Sequence, residues 1–392
     1  MISDVQTPTK MNKKVIIIEK LFPHYRKAVY DLIGQKVELK VLHGKNNSGT
    51  KSISTYYSKQ IPSLQYSKNA TNVLLFPIRN ILKFKPEIVI CDFALGILNL
   101  PFIILVCKLL KIKFVFWSHG YNRKTGFEPE TSLLDKYRLF LLKIADANIL
   151  YGKMDKKILQ KYLNKEKLFI AQNTIDTSTL IKIRERLENE GKTNIKIRLN
   201  IKHEFNIIFI SRMLRSKKPE LLIDIYEILK NLYGIKAGIH FIGDGEMLSL
   251  IKKEVHLKSY DEDFYFHGAI HDNVLNGELL YLSDIMVLPG DMGLSINHSF
   301  CFDCPVISFK QKNGYPAHGP EVEHVINNKT GFLVEEQTPE AMASIINSFL
   351  VNNSLRNEFT KNIRHSVENE FPLEKMVSGI LDCVNYVTAS NK

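Results

Sequence analysis

The sequence predicts an α/β protein that contains two doubly wound parallel sheets. At 392 residues the chain is longer than one hydrophobic core usually serves, so two domains of about 180 residues are expected. Short segments rich in β-branched residues alternate with longer amphipathic segments, a pattern typical of parallel strands joined by helices. The alternation stops across residues 180–204, where Lys, Arg, Glu and Asn dominate, and then resumes. We therefore expect one sheet before this stretch and a second sheet after it.

The predicted strands are short apolar runs, and the predicted helices are the longer runs between them. In the first half the predicted strands are 14–18, 38–42, 87–91, 113–117 and 147–150. The predicted helices of this half are 24–34, 94–110, 130–145 and 153–163. In the second half the predicted strands are 206–211, 237–242, 284–288, 305–309 and 331–334. A last packing helix is predicted after Phe371, because Met376, Ile380, Cys383 and Val387 recur at helical spacing.

The chain is basic, which favours an acidic partner. It holds 53 Lys and Arg residues against 41 Asp and Glu residues, a formal net charge of +12. A nucleotide sugar, an anionic lipid surface and a nucleic acid all fit this charge. The basic residues are scattered among hydrophobic ones, and no recognisable nucleic-acid-binding motif accompanies them. Direct binding of nucleic acid is therefore not expected.

Two features of the first half of the chain indicate where in the cell the protein is located. The N-terminus lacks a basic-then-apolar signal sequence, and residues 1–14 are expected to form a polar extension. The most apolar segment, 94–107, has about 14 residues, fewer than the roughly 20 that a membrane span needs. We expect a cytoplasmic protein. Its positive charge and lysine-flanked apolar helices favour peripheral contact with the inner face of an anionic cytoplasmic membrane.

The cysteines are expected to be reduced thiols packed in the core. They are five in number, Cys91, Cys107, Cys301, Cys304 and Cys383. Cys301 and Cys304 have the spacing of a zinc or redox pair, but a zinc site would need two more ligands at comparable spacing. A redox pair would normally open a helix, whereas this pair closes one. We expect no metal site.

Residues 284–307 predict a phosphate-binding turn. The segment has the pattern of a buried strand, a glycine turn, a helix and a second buried strand. Gly290 and Gly293 allow positive φ and close backbone approach, and the helix is expected to begin near Leu294 with N–H groups that face an anion. Any α/β protein has such turns, so the surrounding sequence has to support the interpretation.

Polar residues follow several predicted strands, at the end where doubly wound sheets bind ligands. His119 comes directly after a strand of the first half. Arg212 and Lys217 follow the first strand of the second half, and Gly243 follows the next one. One histidine and several cations are thus predicted to converge on a ligand.

Short motifs follow one another along nearly the whole chain. They are Asn173-Thr174-Ile175-Asp176, Ser211 to Lys217, Gly243-Asp244-Gly245-Glu246, Phe266-His267-Gly268, Leu282-Ser283-Asp284, Gly319-Pro320-Glu321-Val322 and Lys329 to Val334. Their order resembles that in the retaining glycosyltransferases of family 4, in particular members that build bacterial surface polysaccharides. The resemblance implies a GT-B fold, with two facing Rossmann-like domains and a cleft between them. The expected domains are an acceptor-side domain at 1–190, a nucleotide-sugar-binding domain at 191–370, and a helix at 371–392 that crosses back to the first domain.

The same resemblance implies roles for individual residues. Arg212 and Lys217 would hold the diphosphate of the donor, which two cations and a helix N-terminus can neutralise without a metal. His119 would contact the donor sugar near the reacting carbon. The alternatives are solvated surface cations and a histidine that only caps a strand end. The other donor-binding positions implied are Gly243, Gly293, Leu294 and Ser295.

The chain departs from the family where two glutamates are expected. The family's Glu-x7-Glu positions correspond to Gly290 and His298. Asp291, one residue from the first position, is the candidate catalytic carboxylate, and His298 can hydrogen-bond the ribose. Glu321 and Glu323 lie in the next ligand-facing loop and are candidates for the displaced hydroxyl-binding role.

The loop after the first strand departs from the family as well. Residues 21–26 replace its pair of glycines. We expect His24 and Arg26 either to face an anionic acceptor or to be ordinary surface residues at the start of a helix.

The resemblance implies transfer of a sugar from a nucleoside-diphosphate sugar to a hydroxyl of a growing bacterial surface glycan, such as O-antigen or capsule, with retention of configuration. The expected acceptor is a glycan or lipid-linked oligosaccharide, and no cofactor is expected. An epimerase or hydrolase would need groups that attack the donor without an acceptor, and no such set is found in the sequence. A degenerate GT-B protein acting as a non-catalytic scaffold or regulatory subunit stays open, because Gly290 and His298 replace carboxylates.

Overall fold

The computed structural model describes residues 11–44, 54–65, 72–74, 77–93, 97 and 99–389. The described residues form fifteen β-strands and fourteen α-helices. The strands are β1 (Lys14–Glu19), β2 (Glu38–His43), β3 (Ser58–Gln60), β4 (Ser63–Gln65), β5 (Asn72–Leu74), β6 (Ile88–Asp92), β7 (Lys113–Ser118), β8 (Ala147–Leu150), β9 (Leu168–Ile170), β10 (Asn206–Ile210), β11 (Gly238–Ile242), β12 (Phe264–Phe266), β13 (Ile285–Val287), β14 (Val306–Phe309) and β15 (Gly331–Val334). The helices are α1 (Lys27–Lys36), α2 (Ile78–Phe84), α3 (Leu100–Leu109), α4 (Leu133–Ile144), α5 (Lys153–Leu159), α6 (Thr177–Glu190), α7 (Lys192–Arg198), α8 (Leu221–Tyr233), α9 (Leu248–Leu257), α10 (Asn273–Leu282), α11 (Ser295–Cys301), α12 (Pro339–Leu350), α13 (Asn353–Asn369) and α14 (Leu373–Ala389).

The chain divides into two compact units. The first comprises Met1–Asn122, Phe127–Ile175 and Leu373–Lys392, and the second comprises Arg123–Gly126 and Asp176–Pro372. Helix α6 therefore belongs to the second unit, whereas the predicted boundary at residue 190 placed it in the first. Asp176 begins this helix, since its side chain accepts a hydrogen bond from the backbone N–H of Thr179.

The first unit is built on a seven-stranded parallel sheet. Its strand order is β3-β2-β1-β6-β7-β8-β9, and every neighbouring pair is parallel. The strand order reverses direction at β1 and β6, so the carboxyl ends of these two strands flank a topological switch point, where ligands of such sheets bind. A separate antiparallel pair is formed by β4 and β5.

Apolar cores lie on both faces of this sheet, because successive strand residues point to opposite sides. Val15 and Ile17 of β1 pack into a core shared with α1 and α14. Ile16 and Ile18 of the same strand pack into the opposite core, which holds apolar residues of α2, α3, α4 and α5. Helices therefore cover the first sheet on both sides.

The second unit has a six-stranded parallel sheet. The order is β12-β11-β10-β13-β14-β15, and every neighbouring pair is parallel. Its switch point lies between β10 and β13. The predicted fold class of two doubly wound α/β domains is thus confirmed.

All ten predicted strands are present, and the differences lie in short or irregular elements. The sequence did not predict β3, β4, β5, β9 or β12, which are three residues each and too short to show a periodicity. The helix predicted over 94–110 begins only at Leu100, and residues 94–96 and 98 lie outside the described residues, as do residues 1–10 of the predicted extension. Within the described residues, no helix has both the length and the apolar character that crossing a bilayer requires.

Candidate functional site

The loops after β10 and β11 are joined at the carboxyl edge of the second sheet. The N–H of Met213 donates to the carbonyl oxygen of Asp244 at 2.8 Å, and the N–H of Met247 donates to the carbonyl of Met213 at 3.0 Å. Gly243 has a φ of +141°, and a Cβ there would collide with the backbone of Ser211. Only glycine fits this position without strain, so Gly243 allows the two loops to meet.

The loop after β13 packs on the same segment. The N–H of Gly290 donates to the carbonyl of Lys217 at 3.1 Å, and the N–H of Asp291 donates to the carbonyl of Ser216 at 3.1 Å. A Cβ on Gly290 would collide with the Ser216 carbonyl and come within 2.6 Å of the Lys217 Cα. Position 290 therefore has no room for the carboxylate that the family pattern would place there.

Lys217 is held at the centre of this arrangement. It ends a 3-10 turn over Arg215–Lys217, and its Nζ donates to the carbonyl oxygen of Asp291 at 2.5 Å. Burial lowers the pKa of Lys217 below the ordinary 10.5, while the charge of Asp291 raises it and that of Arg212 lowers it. Arg212 itself is exposed. The two predicted cations thus lie near each other at the switch point.

The carboxylate of Asp291 contacts the backbone of the next loop. Its Oδ1 accepts a hydrogen bond from the N–H of Ala317 at 2.6 Å. One oxygen of this candidate catalytic residue is therefore engaged in joining the loops that follow β13 and β14.

His318 is a residue of this site that the sequence did not single out. Its Nδ1 lies 3.2 Å from the N–H of Met292 and its Nε2 lies 2.9 Å from the carbonyl oxygen of Phe309. These partners require Nδ1 to accept and Nε2 to donate, which is one neutral tautomer. Burial lowers the pKa of His318 to about 4, so the neutral form persists at neutral pH. The carbonyl of His318 accepts from Arg123 Nε at 3.0 Å.

The predicted helix after the glycine turn is short. It spans Ser295–Cys301, with Leu294 as its N-cap. The N–H groups of Ile296, Asn297 and His298 donate to the carbonyls of Gly293 and Leu294. Because these N–H groups already donate hydrogen bonds within the turn, an anion would have to bind N–H groups of residues that precede Ile296. His298 is half-buried on this helix.

The acidic candidates lie on the 3-10 helix Pro320–His324. Glu321 is buried, and its Oε2 lies against Gly319, whose N–H donates to the carbonyl of Met292 at 2.8 Å. The charge of Glu321 also raises the pKa of Lys217. The structure thus brings Glu321 to the turn that holds Gly293, whereas Glu323 is half-buried further along the same helix.

In the first unit, His119 is oriented by a buried aspartate. Its Nδ1 lies 2.8 Å from Oδ2 of Asp155, which is completely buried, and the other oxygen of Asp155 accepts from the hydroxyl of Tyr121 at 3.0 Å. An Nδ1–H donated to this carboxylate leaves Nε2 as an acceptor in the neutral ring. Asp155 could not be predicted as the partner of His119, because the two residues are 36 positions apart in the chain.

Charged groups are also buried at the switch point of the first sheet. Arg26 is only 7% exposed, and its Nη2 donates to the hydroxyl of Tyr151 at 3.1 Å. Its guanidinium lies 4.4 Å from the ring centroid of Trp117. Of the two alternatives for Arg26, the ordinary surface residue is wrong, because its cation stacks on the rings of Trp117 and Tyr151. His24 is exposed.

Two carboxyl groups lie beside Arg26. Burial raises the pKa of Glu19 to about 7, while Arg26 lowers it and Asp92 raises it. Burial likewise raises the pKa of Asp92, which Lys20 and Arg26 lower. These residues end β1 and β6, the two strands of the switch point. Groups of this kind donate or accept hydrogen bonds according to pH.

The five cysteines are buried thiols, and burial raises the pKa of Cys301 and Cys304. Across the described part of the chain, no group of three or more His, Cys, Asp or Glu side chains is placed to hold a metal ion.

Comparisons with known proteins support a glycosyltransferase domain. Residues 191–366 match the model of the family glycosyl transferases group 1. A poly(ribitol-phosphate) alpha-N-acetylglucosaminyltransferase of Staphylococcus aureus is 26% identical over 179 residues, which are 45% of this chain and 34% of that protein. The chain thus spans about a third of the length of this relative.

Two solved structures match the chain over almost its whole length. A glycosyltransferase from Rickettsia africae gives a TM-score of 0.69 at 17% identity and covers 97% of this chain and 100% of its own. Anabaena HepE in complex with UDP gives 0.67 at 13% identity, with coverage of 95% and 100%. At these identities the likeness shows the fold, which is that of GT-B glycosyltransferases with two Rossmann-like domains.

Proposed function

We propose that this protein is a metal-independent, retaining glycosyltransferase. It moves a sugar from a nucleoside-diphosphate sugar to a hydroxyl of a growing, lipid-linked bacterial surface glycan such as O-antigen or capsule. It acts in the cytoplasm at the inner face of the membrane. The relative named above is, by its name, a poly(ribitol-phosphate) alpha-N-acetylglucosaminyltransferase, which supports a polymeric acceptor.

The observation that carries the proposal is the carboxyl edge of the second sheet. Three loops join there through backbone hydrogen bonds, with Lys217 and Arg212 at the switch point and Gly293 in open space. Two cations beside a glycine turn suit a leaving diphosphate, whose negative charge grows as the sugar departs. Their charges do this without a metal. Glu321 and His298 are the proposed partners of donor hydroxyls.

The residues of the first unit have separate proposed roles. His119, with Nδ1 committed to Asp155, presents Nε2 as a hydrogen-bond acceptor for a hydroxyl of the donor sugar. The carboxyl groups of Glu19 and Asp92 suit an acceptor rich in hydroxyls, because each oxygen can accept a hydrogen bond. Substitutions of these residues will be informative once the donor is known.

The first experiment is a thermal-shift screen against UDP, GDP, dTDP, ADP and CMP. UDP comes first, since HepE binds it. A nucleotide at about 100 times its Kd stabilises the native state by about 2.7 kcal/mol, which raises the Tm. The shift should be lost in Arg212→Ala and kept in Arg186→Ala, which removes an exposed arginine from α6 of the same unit. An equal shift in all three proteins would contradict the assignment of Arg212.

A non-catalytic GT-B scaffold is the second candidate, and the packing at Gly290 favours it. The carboxylate missing there cannot be restored without a collision. Acceptor-dependent release of the nucleoside diphosphate across a panel of lipid-linked sugars would exclude this candidate. Nucleotide binding with no release across the panel would favour it. For an active protein, proton NMR of the product would establish whether the anomeric configuration is retained.

A further inference from the structure

Large apolar side chains are exposed on two successive helices of the first unit. Six of them form the stripes described below, Phe102, Leu105 and Leu109 of α3 and Leu133, Tyr137 and Phe140 of α4, and Leu134 of α4 is exposed as well. Their exposed fractions run from 42% for Tyr137 to 82% for Leu133. Single exposed apolar residues are common, but six on two successive helices indicate a surface that meets a partner. We call these six residues the α3–α4 surface.

The two helices lie on the same face of the first sheet. Ile103 and Cys107 of α3 are buried in one core with Leu141 and Leu142 of α4. The exposed residues of each helix recur at three- and four-residue spacing, so they form an outward stripe opposite the buried one. Packing on the sheet explains the inner stripe and leaves the outer stripe without an occupant among the described residues.

The exposed charges of the helices around this surface are all basic, although Glu128 and Glu130 are exposed in the loop before α4. Helices α2 to α5, which cover this face, hold nine Lys and Arg residues and two acidic residues, Asp135 and Asp155. Both acidic residues are buried. Lys111, Lys136 and Lys143 are exposed beside the apolar stripes. The outer face is therefore apolar and cationic.

The opposite face of the same sheet has neither property. Helices α1 and α14 hold three basic and three acidic residues. Large exposed apolar side chains are absent from both helices, which lie wholly within the described residues. The apolar and cationic character is thus specific to the face that carries α3 and α4.

We propose that the α3–α4 surface docks on an anionic lipid bilayer. Phe102, Leu105, Tyr137 and neighbouring apolar side chains enter the interface, while the lysines meet lipid phosphates. A second copy of the chain fits less well, because a symmetric contact would bring the same cations face to face. The assignment depends only on this surface, so vesicle binding and sugar transfer can fail separately.

The test is co-sedimentation of the full-length protein with vesicles. Vesicles of phosphatidylcholine with one quarter phosphatidylglycerol should bind it, and pure phosphatidylcholine should bind it far less. Lys111→Gln, Lys136→Gln and Lys143→Gln together should weaken binding by about 100-fold, since each lysine contributes about fivefold. Phe102→Ser with Leu105→Ser should weaken it by at least about tenfold. Raising the salt should weaken wild-type binding.

A matched control comes from the second unit, where Leu232, Leu250 and Leu257 are exposed to a similar degree. Their replacement by Ser should leave vesicle binding unchanged. Equal binding of the wild type and the Phe102–Leu105 variant would overturn the proposal. So would a wild-type dimer in analytical ultracentrifugation that becomes a monomer in that variant, since the surface would then join two copies. Circular dichroism of each variant confirms that it is folded.

Discussion

The two sheets differ in the charged residues that lie at the carboxyl ends of their strands. The second sheet has cations there, and the first has carboxyl groups. At the second edge, Arg212 and Lys217 follow β10, and the nearby Gly290 has no room for a side chain. At the first edge, Glu19 and Asp92 end β1 and β6, and burial raises the pKa of both. Both edges lie at topological switch points of parallel sheets. The same topology thus supplies an edge with cations in one unit and an edge rich in carboxyl groups in the other.

This difference teaches that the loops and strand ends, rather than the sheets, determine what each unit can bind. Cations near a glycine turn attract phosphate groups. Buried carboxyl groups attract hydroxyls instead, and their charge depends on pH. Three kinds of substitution test the comparison. One places a carboxylate at the second edge, one removes a carboxylate from the first edge, and one removes a cation from the second edge.

The largest effect is expected from Gly290→Glu, which places a carboxylate at the second edge. Its side chain would collide with the backbone of Ser216 and Lys217, so the free energy of unfolding should fall by at least about 3 kcal/mol. Gly293→Ala is the control, because a Cβ there meets nothing within 4 Å. Urea unfolding followed by circular dichroism measures both. A Gly290→Glu protein as stable as the wild type would mean that the two loops are not in contact.

The next effect concerns the first edge and its dependence on pH. Glu19 has a pKa near 7 in the folded protein against 4.5 for the unfolded chain, so it binds its proton more tightly when folded. Its contribution to stability is full below pH 4.5 and is lost as the pH rises through about 7, a change of about 3 kcal/mol. Glu19→Gln should remove this loss.

The single tryptophan, Trp117, lies next to Arg26 in the first unit, so its fluorescence can follow urea unfolding of that unit between pH 4.5 and 8. Glu38→Gln, at an exposed glutamate of the same sheet, serves as the control. Parallel pH profiles for the wild type and Glu19→Gln would show that Glu19 titrates normally in the folded protein.

The smallest effect is expected from removing a cation at the second edge. Lys217→Ala should weaken the binding of a nucleoside diphosphate by about tenfold, as expected for one charge-assisted contact. Because burial lowers the pKa of Lys217, wild-type affinity should begin to fall at a pH below 10.5, and the variant should lack this decline. Calorimetric titration at several pH values measures both. Lys252→Ala, on α9, is the control, and unchanged affinity in Lys217→Ala would remove this residue from the site.

Residues close to strand ends could be predicted from the sequence, and residues that depend on distant contacts could not. Arg212 lies two residues after β10 and Gly243 directly follows β11, so finding the strands located them. His318 was missed because its partner Met292 is 26 residues away. Arg26 was misplaced because nothing local shows that Trp117 and Tyr151 cover it.

The sequence by itself determined the two parallel sheets, their strand ends and the cations that follow them. These features follow from hydrophobic periodicity and glycine turns, which act over a few residues. Only the tertiary structure decided that Gly290 excludes a side chain, that Asp155 orients His119, and that Glu19 is buried beside Arg26. Each of these depends on which loops meet across the edge of a sheet, and packing of segments far apart in the chain determines that.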